Sequence, residues 1–247
     1  ASAAASASSG EGGAAEVEPS GGAVPKEVVL AAGRGEEAPV LAWLDGDGRV
    51  DATFEYTFGC GSRASGMTLL ILAMTSGRKA LAETLLQRGA DISLQSSDGA
   101  TALSIAATNG REKLVELALR HGAEINRRSG RLCSSALIDV AASGHEEVID
   151  TLIRHGAAIN LQCNNGDTAL SRAAFRGHPA ALLCLLRAGA DSTACDASGR
   201  TALQLAKEQG HAECARALTE HAAAEKAAEK AAAEAAWAAG AAEKAAA

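Results

Sequence analysis

The chain has 247 residues and a formal net charge of −7, an acidic balance that argues against general attraction to nucleic acid or to an anionic membrane surface. It contains no apolar run of about 18 residues that would span a bilayer. Apolar residues make up 47% of the chain but aromatic residues only 2%, so a core must be built from Ala, Leu, Val and Ile, which suits closely packed helices.

The first segment, residues 1–25, consists almost entirely of Ala, Ser, Gly and Glu, and this composition predicts disorder. It contains glutamates but no basic residue, so it matches neither a transit peptide nor a signal peptide. From Lys26 onward the composition changes, and a first helical unit of irregular sequence is predicted to extend to about residue 52.

An insertion at residues 53–65 follows that unit and holds half of the aromatic residues of the chain: Phe54, Tyr56 and Phe58. Their alternation predicts an extended segment with one aromatic face. Two interpretations are open. The face could supply exposed anchors for a partner, or it could cover the otherwise exposed end of the first repeat.

The remainder of the chain is periodic. One series of glycines recurs every 33 or 34 residues, and a second series runs 12 residues behind it. The first series is Gly77, Gly110, Gly144, Gly177 and Gly210, and the second is Gly89, Gly122, Gly156 and Gly189. Each period opens with a hydroxyl residue able to cap a first helix, and each glycine stands where a helix is expected to end. Because neither helix of a period is long enough to be stable alone, neighbouring units must stack.

The repeated motif reads G-x-T-A-L-x-x-A-A-x-x-G-H-x-x-x-x-x-x-L-L-x-x-G-A-D and resembles the ankyrin repeat, with Ala where the family usually has Pro. Five units match clearly, beginning near Gly66, Gly99, Cys133, Gly166 and Gly199. With the irregular first unit, the resemblance implies an all-α solenoid of about six helix–turn–helix units over residues 26–221, joined by short β-hairpin-like loops. Lys207 replaces an alanine of the earlier units, which marks the last unit as a cap.

The last segment, residues 222–247, consists nearly entirely of Ala, Glu and Lys and is predicted to form a helical extension. Trp237 is its only large apolar residue. The extension is either a solvated single helix or an element that docks through this tryptophan.

A search for catalytic and metal-binding motifs gives none. All six histidines occupy repeat positions, and the six cysteines form no C-x-x-C pair or zinc-finger spacing. We therefore expect no enzymatic activity, no cofactor and no metal. Unpaired thiols are typical of a reducing compartment, so we expect the cytoplasm or the nucleus.

The resemblance implies that a partner contacts the hairpin tips and the first helix of each repeat, where two basic groups of residues stand out. One lies in a widened hairpin, Arg127, Arg128 and Arg131, and the other in a first helix, Arg172, Phe175 and Arg176. Since arginine binds carboxylates well, we predict that both groups share one field and hold an acidic segment anchored near Phe175. Scattered solvated arginines are the alternative.

The function that the resemblance implies is non-catalytic: a monomeric module or scaffold that binds another protein, and neither nucleic acid nor a membrane. The alternative is a regulatory or targeting part of a larger enzyme or adaptor. The resemblance also makes Asn126 and Asn160, at the hairpin Asn of the repeat, candidates for hydroxylation.

Overall fold

The computed structural model describes residues 24–57, 61 and 63–246, so nearly all of the segment predicted to be disordered lies outside the described residues. The chain divides into two compact units, one ending at Asp98 and the other beginning at Gly99.

The described residues of the first unit form four helices and one hairpin. The helices are α1 (Lys26–Arg34), α2 (Glu37–Asp45), α3 (Leu69–Ser76) and α4 (Lys79–Gln87), and the strands are β1 (Phe54–Thr57) and β2 (Arg63–Met67). The strands pair antiparallel, with an irregular step in the register between Phe54 and Tyr56. Helix α1 packs on α2 and α3, and α3 packs on α4. Because six consecutive residues of α3, 69–74, are buried, this helix forms the centre of the unit's core.

In the second unit, the part that the structure describes forms eight helices in two layers. They are α5 (Ala102–Thr108), α6 (Glu112–Arg120), α7 (Ala136–Ser143), α8 (Glu146–Arg154), α9 (Ala169–Arg176), α10 (Pro179–Arg187), α11 (Ala202–Glu208) and α12 (Ala212–Ala246). The first helices pack side by side in the order α5, α7, α9, α11, and the second helices in the order α6, α8, α10, α12. This arrangement confirms the predicted all-α solenoid of stacked helix–turn–helix units.

Every first helix from α3 onward begins at the predicted hydroxyl residue. In each case the side-chain oxygen accepts a hydrogen bond from the backbone N–H three residues later, which satisfies one of the unpaired amides of the first turn. The capping residues are Thr68, Thr101, Ser135, Thr168 and Thr201. The cap predictions are therefore confirmed at all five positions.

Neighbouring repeats of the second unit are joined by three contacts that we call the glycine–histidine clasps: Gly110 with His145, Gly144 with His178, and Gly177 with His211. The histidine Nε2 lies 3.1–3.2 Å from the carbonyl oxygen two residues before the glycine, on Thr108, Ala142 and Phe175 respectively. A Cβ atom on any of the three glycines would lie within 2.8 Å of the histidine Nδ1. The glycine thus makes room for the ring that bonds to the preceding repeat.

The second helix of the last repeat continues without a break into the predicted extension, and together they form α12. Helix α12 buries Cys214 and Leu218 in its first turns. From residue 223 to residue 235 all of its side chains are exposed, and Trp237 is 78% exposed. Lys207 is exposed as well, although the alanines at the equivalent positions of the earlier repeats are fully buried. Within the described residues, no helix has the length and apolar character needed to cross a membrane.

Candidate partner-binding site

The residues four, seven and eight positions after the cap of each first helix in the second unit lie on one side of these helices, and we call this surface the first-helix face. Its residues are Ile105, Thr108, Asn109, Asp139, Ala142, Ser143, Arg172, Phe175, Arg176, Leu205, Glu208 and Gln209. Most of them are exposed or half-buried, and helix α9 supplies both its arginines and its one aromatic ring.

A charged layer interrupts the packing at the position four residues after the cap. Ile105 and Leu205 are apolar there, whereas Asp139 and Arg172 are charged. A guanidinium nitrogen of Arg172, Nη1, lies 3.7 Å from Oδ2 of Asp167. We call Asp139, Asp167 and Arg172 the charged layer.

Arg172 is not the free surface group that the sequence suggested. Its side chain is only 24% exposed, since α9 packs between α7 and α11, and part of its charge faces Asp167. Its Nε is nevertheless buried and has no hydrogen-bond partner among the described residues. The prediction of a fully available arginine therefore needs correction, although the guanidinium keeps an unsatisfied donor.

The acids of the charged layer hold their protons more tightly than ordinary carboxyl groups. Burial raises the pKa of Asp139 to about 6, although the hydrogen bond from Ser134 and the charge of Arg172 act to lower it. Burial likewise raises the pKa of Asp167, while Arg172 opposes this and Asp196 adds to it. One guanidinium thus only partly compensates two desolvated carboxylates.

Phe175 and Arg176 form the accessible part of the α9 surface. Phe175 is half-buried and Arg176 is exposed, with the guanidinium carbon 6.0 Å from the centroid of the Phe175 ring. That distance is at the limit of a cation–π contact. Arg176 has no ion-pair partner in the described part of the chain, so its charge is available.

The widened hairpin presents a second basic cluster. A bridge between Ser129 and Ser134 closes the hairpin, and the Leu132 carbonyl accepts a hydrogen bond from Asn164 in the next loop. Within the ranges that the structure describes, Arg128 and Arg131 are exposed without an ion-pair partner. Leu132 between them is 38% exposed, an apolar contact point that the sequence pattern did not single out.

The hairpin arginines and the α9 arginines have different contacts. Arg127 pairs with Glu124 at 3.5 Å. No hydrogen bond or ion pair of the described residues joins the hairpin arginines to Arg172 or Arg176. That both clusters act in one field stays a prediction.

The aromatic insertion belongs to the first unit and supports the covering interpretation. Phe54 is only 6% exposed, so it is a core residue and the idea of an exposed anchor at this position is wrong. Tyr56 is half-buried, and its hydroxyl would lie 3.8 Å from a Cβ atom on Gly33 of α1. Phe58 lies outside the described residues.

The polar residues at the hairpin tips have structural partners. Oδ1 of Asn126 accepts a hydrogen bond from the Ala158 amide at 2.8 Å, and Oδ1 of Asn160 accepts one from the Asp191 amide at 2.9 Å. Each asparagine therefore joins its hairpin to the next, and its hydroxylation stays a prediction. Across residues 24–57, 61 and 63–246, no group of three His, Cys, Asp or Glu side chains is arranged to hold a metal ion.

The sequence analysis did not single out Asp139, as it did not single out Leu132 and Asp167. The sequence does contain a sign of Asp139, because an alignment of the repeats places its carboxylate where other repeats have Ile105 or Leu205. A charged residue at a normally apolar position is a candidate functional residue.

Comparison with family models gives two matches. A model described as ankyrin repeats (3 copies) matches residues 30–129 and 172–243, which is more than half of the chain. A second, described as ankyrin repeats (many copies), matches residues 136–186. The comparison with curated proteins gave no match.

Proposed function

Because the chain belongs to the ankyrin-repeat family, whose repeats are generally protein–protein interaction modules, we propose that it is a monomeric, non-catalytic scaffold that binds another protein through the first-helix face. The observation that carries this proposal is on α9. There Arg176, which is exposed and has no ion-pair partner among the described residues, lies beside a half-buried aromatic ring, Phe175. Aromatic and arginine side chains are the residues most often found at the energetic centre of interfaces.

The chemistry of this surface favours an acidic segment that also carries an apolar residue. Arg176 is exposed and offers its guanidinium donors, while Arg172, one turn earlier on the same helix, is 24% exposed and adds a second positive charge. A guanidinium binds carboxylates with two parallel hydrogen bonds. The Phe175 ring supplies the adjacent apolar contact.

The hairpin cluster is the proposed second contact. Arg128, Arg131 and Leu132 repeat the combination of free guanidinium groups with an accessible apolar side chain. The bridge between Ser129 and Ser134 closes this loop, and a closed loop has less conformational entropy to lose on binding. A partner segment that spans both clusters would gain avidity from the second contact.

We also propose the cytoplasm or the nucleus as the location. Cys163, Cys184 and Cys214 are buried thiols that form no disulfide, a state suited to a reducing compartment.

Affinity capture with the full chain tests the proposal. The test variant carries Phe175→Ala and Arg176→Ala, and the matched control carries Leu183→Ala and Arg120→Ala. The control also removes one accessible apolar side chain and one exposed arginine, but from the second helices α10 and α6. Arg172 is left unchanged because an acidic residue there would add a third carboxylate to the charged layer.

Proteins captured from a native cell extract are compared by quantitative mass spectrometry. We expect a protein that wild type and control retain equally and that the α9 variant loses. Loss with the control, or equal capture by all three chains, would contradict the proposed surface.

A further inference from the structure

The residue seven positions after the cap of a first helix is also the residue whose backbone the next repeat holds. On α5, α7 and α9 these residues are Thr108, Ala142 and Phe175, and their carbonyl oxygens are the acceptors of the three glycine–histidine clasps. A carbonyl oxygen can only accept a hydrogen bond, so the histidine Nε2 carries a proton and donates it. On α9 the donor is His211, at 3.1 Å. The anchor of the proposed partner site is therefore bonded to the last repeat.

The Phe175 carbonyl depends on this donor more than an ordinary helix carbonyl does. It lies in the last turn of α9, and the residue four positions on is Pro179, which has no N–H to continue the helix. The two N–H groups that directly follow α9 bond to Ala173 and Ala174 instead. Among the described residues, the His211 imidazole is the donor that reaches the Phe175 oxygen.

The His211 ring is held between the last two repeats. Its Nδ1 side faces Gly177, where a Cβ atom would lie 2.4 Å away, and its Nε2 bonds to the α9 carbonyl. The backbone N–H of His211 bonds at 2.8 Å to the carbonyl of Ala206 on α11, and α12 begins at the next residue. The end of α9 is thus bonded to the turn between α11 and α12, so its conformation depends on that turn.

Resting on the proposed function, we propose that His211 is a positioning residue of the partner site: its hydrogen bond holds the end of α9 in the conformation in which Phe175 and Arg176 contact the partner. Tight binding then requires the last repeat to be closed on α9. A terminal repeat opens locally more readily than an inner one, because it has a neighbour on one side only. Binding at α9 and closure of the last repeat are therefore coupled, and the coupling acts equally in both directions.

His145 offers the matched comparison. It bonds at 3.1 Å to the Thr108 carbonyl on α5, and α7 lies between α5 and α9 in the stack. Losing either histidine removes the same kind of hydrogen bond between repeats. A general loss of stability would weaken binding in both variants alike, whereas the positioning role at α9 belongs to His211.

The probe is a rhodamine-labelled, end-blocked peptide with the sequence Gly-Glu-Glu-Leu-Glu-Glu-Gly. Its binding to the full chain is measured by fluorescence anisotropy at a temperature at which circular dichroism shows each variant folded. His211→Ala should raise the dissociation constant about tenfold, because a site that is competent about a tenth of the time binds about tenfold more weakly. Gly177→Ala displaces the ring and should have the same effect.

Three further variants separate positioning from stability. His211→Gln keeps an N–H donor near the position of Nε2 and should restore most of the affinity. His145→Ala should bind the peptide as wild type does. Gly189→Ala forces an alanine into the same left-handed backbone as Gly177→Ala, but no ring lies beside it, so it should also bind as wild type does.

Hydrogen exchange on wild type measures the coupling from the other side. At saturation the peptide should slow exchange of the His211 amide, and of the other amides of α11 and the first turns of α12, by up to the same factor of about ten. The acidic peptide is repelled from α11 itself, because Glu208 is exposed there. This readout stands even where His211→Ala fails to fold, and a merely structural histidine would leave it unchanged.

Equal dissociation constants for wild type and His211→Ala overturn the inference, as does equal weakening by His145→Ala, which would indicate a general loss of stability. Unchanged exchange in the last repeat on peptide binding overturns it too. In these three cases the binding surface on α9 stands. Absence of peptide binding by wild type contradicts the acidic partner and this inference together.

Discussion

The glycine–histidine clasps give the most direct prediction about stability. Gly177 has φ 74° and ψ 42°, and a Cβ atom there would lie 2.4 Å from Nδ1 of His211. Gly189 has φ 87°, and a Cβ atom added there would have no atom of the described residues within 4 Å. Replacing either glycine by alanine therefore forces the same left-handed backbone, but only Gly177→Ala collides with a histidine.

An alanine in the left-handed conformation destabilises the folded state by about 1–2 kcal/mol. Alanine also restricts the unfolded chain, which stabilises the fold by about 0.4–1 kcal/mol. Gly189→Ala should therefore lower the free energy of unfolding by about 1 kcal/mol. In Gly177→Ala the ring must also leave the Phe175 carbonyl, to which its Nε2 is bonded at 3.1 Å. Because this carbonyl oxygen then lacks its hydrogen-bond partner, the free energy of unfolding falls by about a further 2 kcal/mol. For a chain of this length, Tm should fall by about 3 °C in Gly189→Ala and about 9 °C in Gly177→Ala.

Thermal unfolding of the full chain followed by circular dichroism measures both shifts. His211→Ala removes the collision, so adding Gly177→Ala to that background should cost only about as much as Gly189→Ala does in wild type, about 1 kcal/mol. Equal Tm losses for the two glycine variants in the wild-type background would refute the clasp.

The remaining predictions concern other contacts of the fold. Asn160→Ala removes the acceptor of the Asp191 amide, so it should lower the free energy of unfolding by about 1 kcal/mol. Hydrogen exchange at that amide, measured by NMR, should become faster. Burial raises the pKa of Asp139 to about 6, so its contribution to stability is complete below its unfolded pKa of about 3.9 and is lost as the pH rises through about 6. The free energy of unfolding of Asp139→Asn, measured with urea, should therefore equal that of wild type at about pH 4 and exceed it by about 2 kcal/mol at about pH 7. Phe54→Ala should lower the free energy of unfolding by about 3 kcal/mol in the same urea experiment, because Phe54 is buried. Glu55→Ala, on the exposed face of the same strand, should leave it nearly unchanged.

The fold was predictable from the sequence because its determinants are local and repeated. A cap such as Thr168 acts on an amide three residues away, and a left-handed glycine such as Gly177 acts on its own backbone. Each signal recurs at fixed spacing, so a single exception does not hide the pattern. Stacking then follows from the exposed apolar sides of the short helices.

The site was only partly predictable, because its state depends on contacts between repeats. The sequence placed Arg172 on the first helix, but its contact with Asp167 and the depth of Asp139 depend on how α7 and α9 pack. Alternation likewise showed that Phe54 and Tyr56 share a face of a strand without showing that this face turns inward. The exposure of Leu132 comes from the shape of the widened hairpin.

Site-specific photo-crosslinking tests the central claim, that the first-helix face of α9 holds a protein partner. The photoreactive residue p-benzoylphenylalanine replaces Phe175 in one chain and Leu183, which is 44% exposed on the second-helix layer, in another. After irradiation in a native extract, we expect a crosslink from position 175 to an Asp/Glu-rich peptide of one protein, and none to that protein from position 183. A crosslink to the same protein from position 183 alone, or equally from both positions, would contradict the claim.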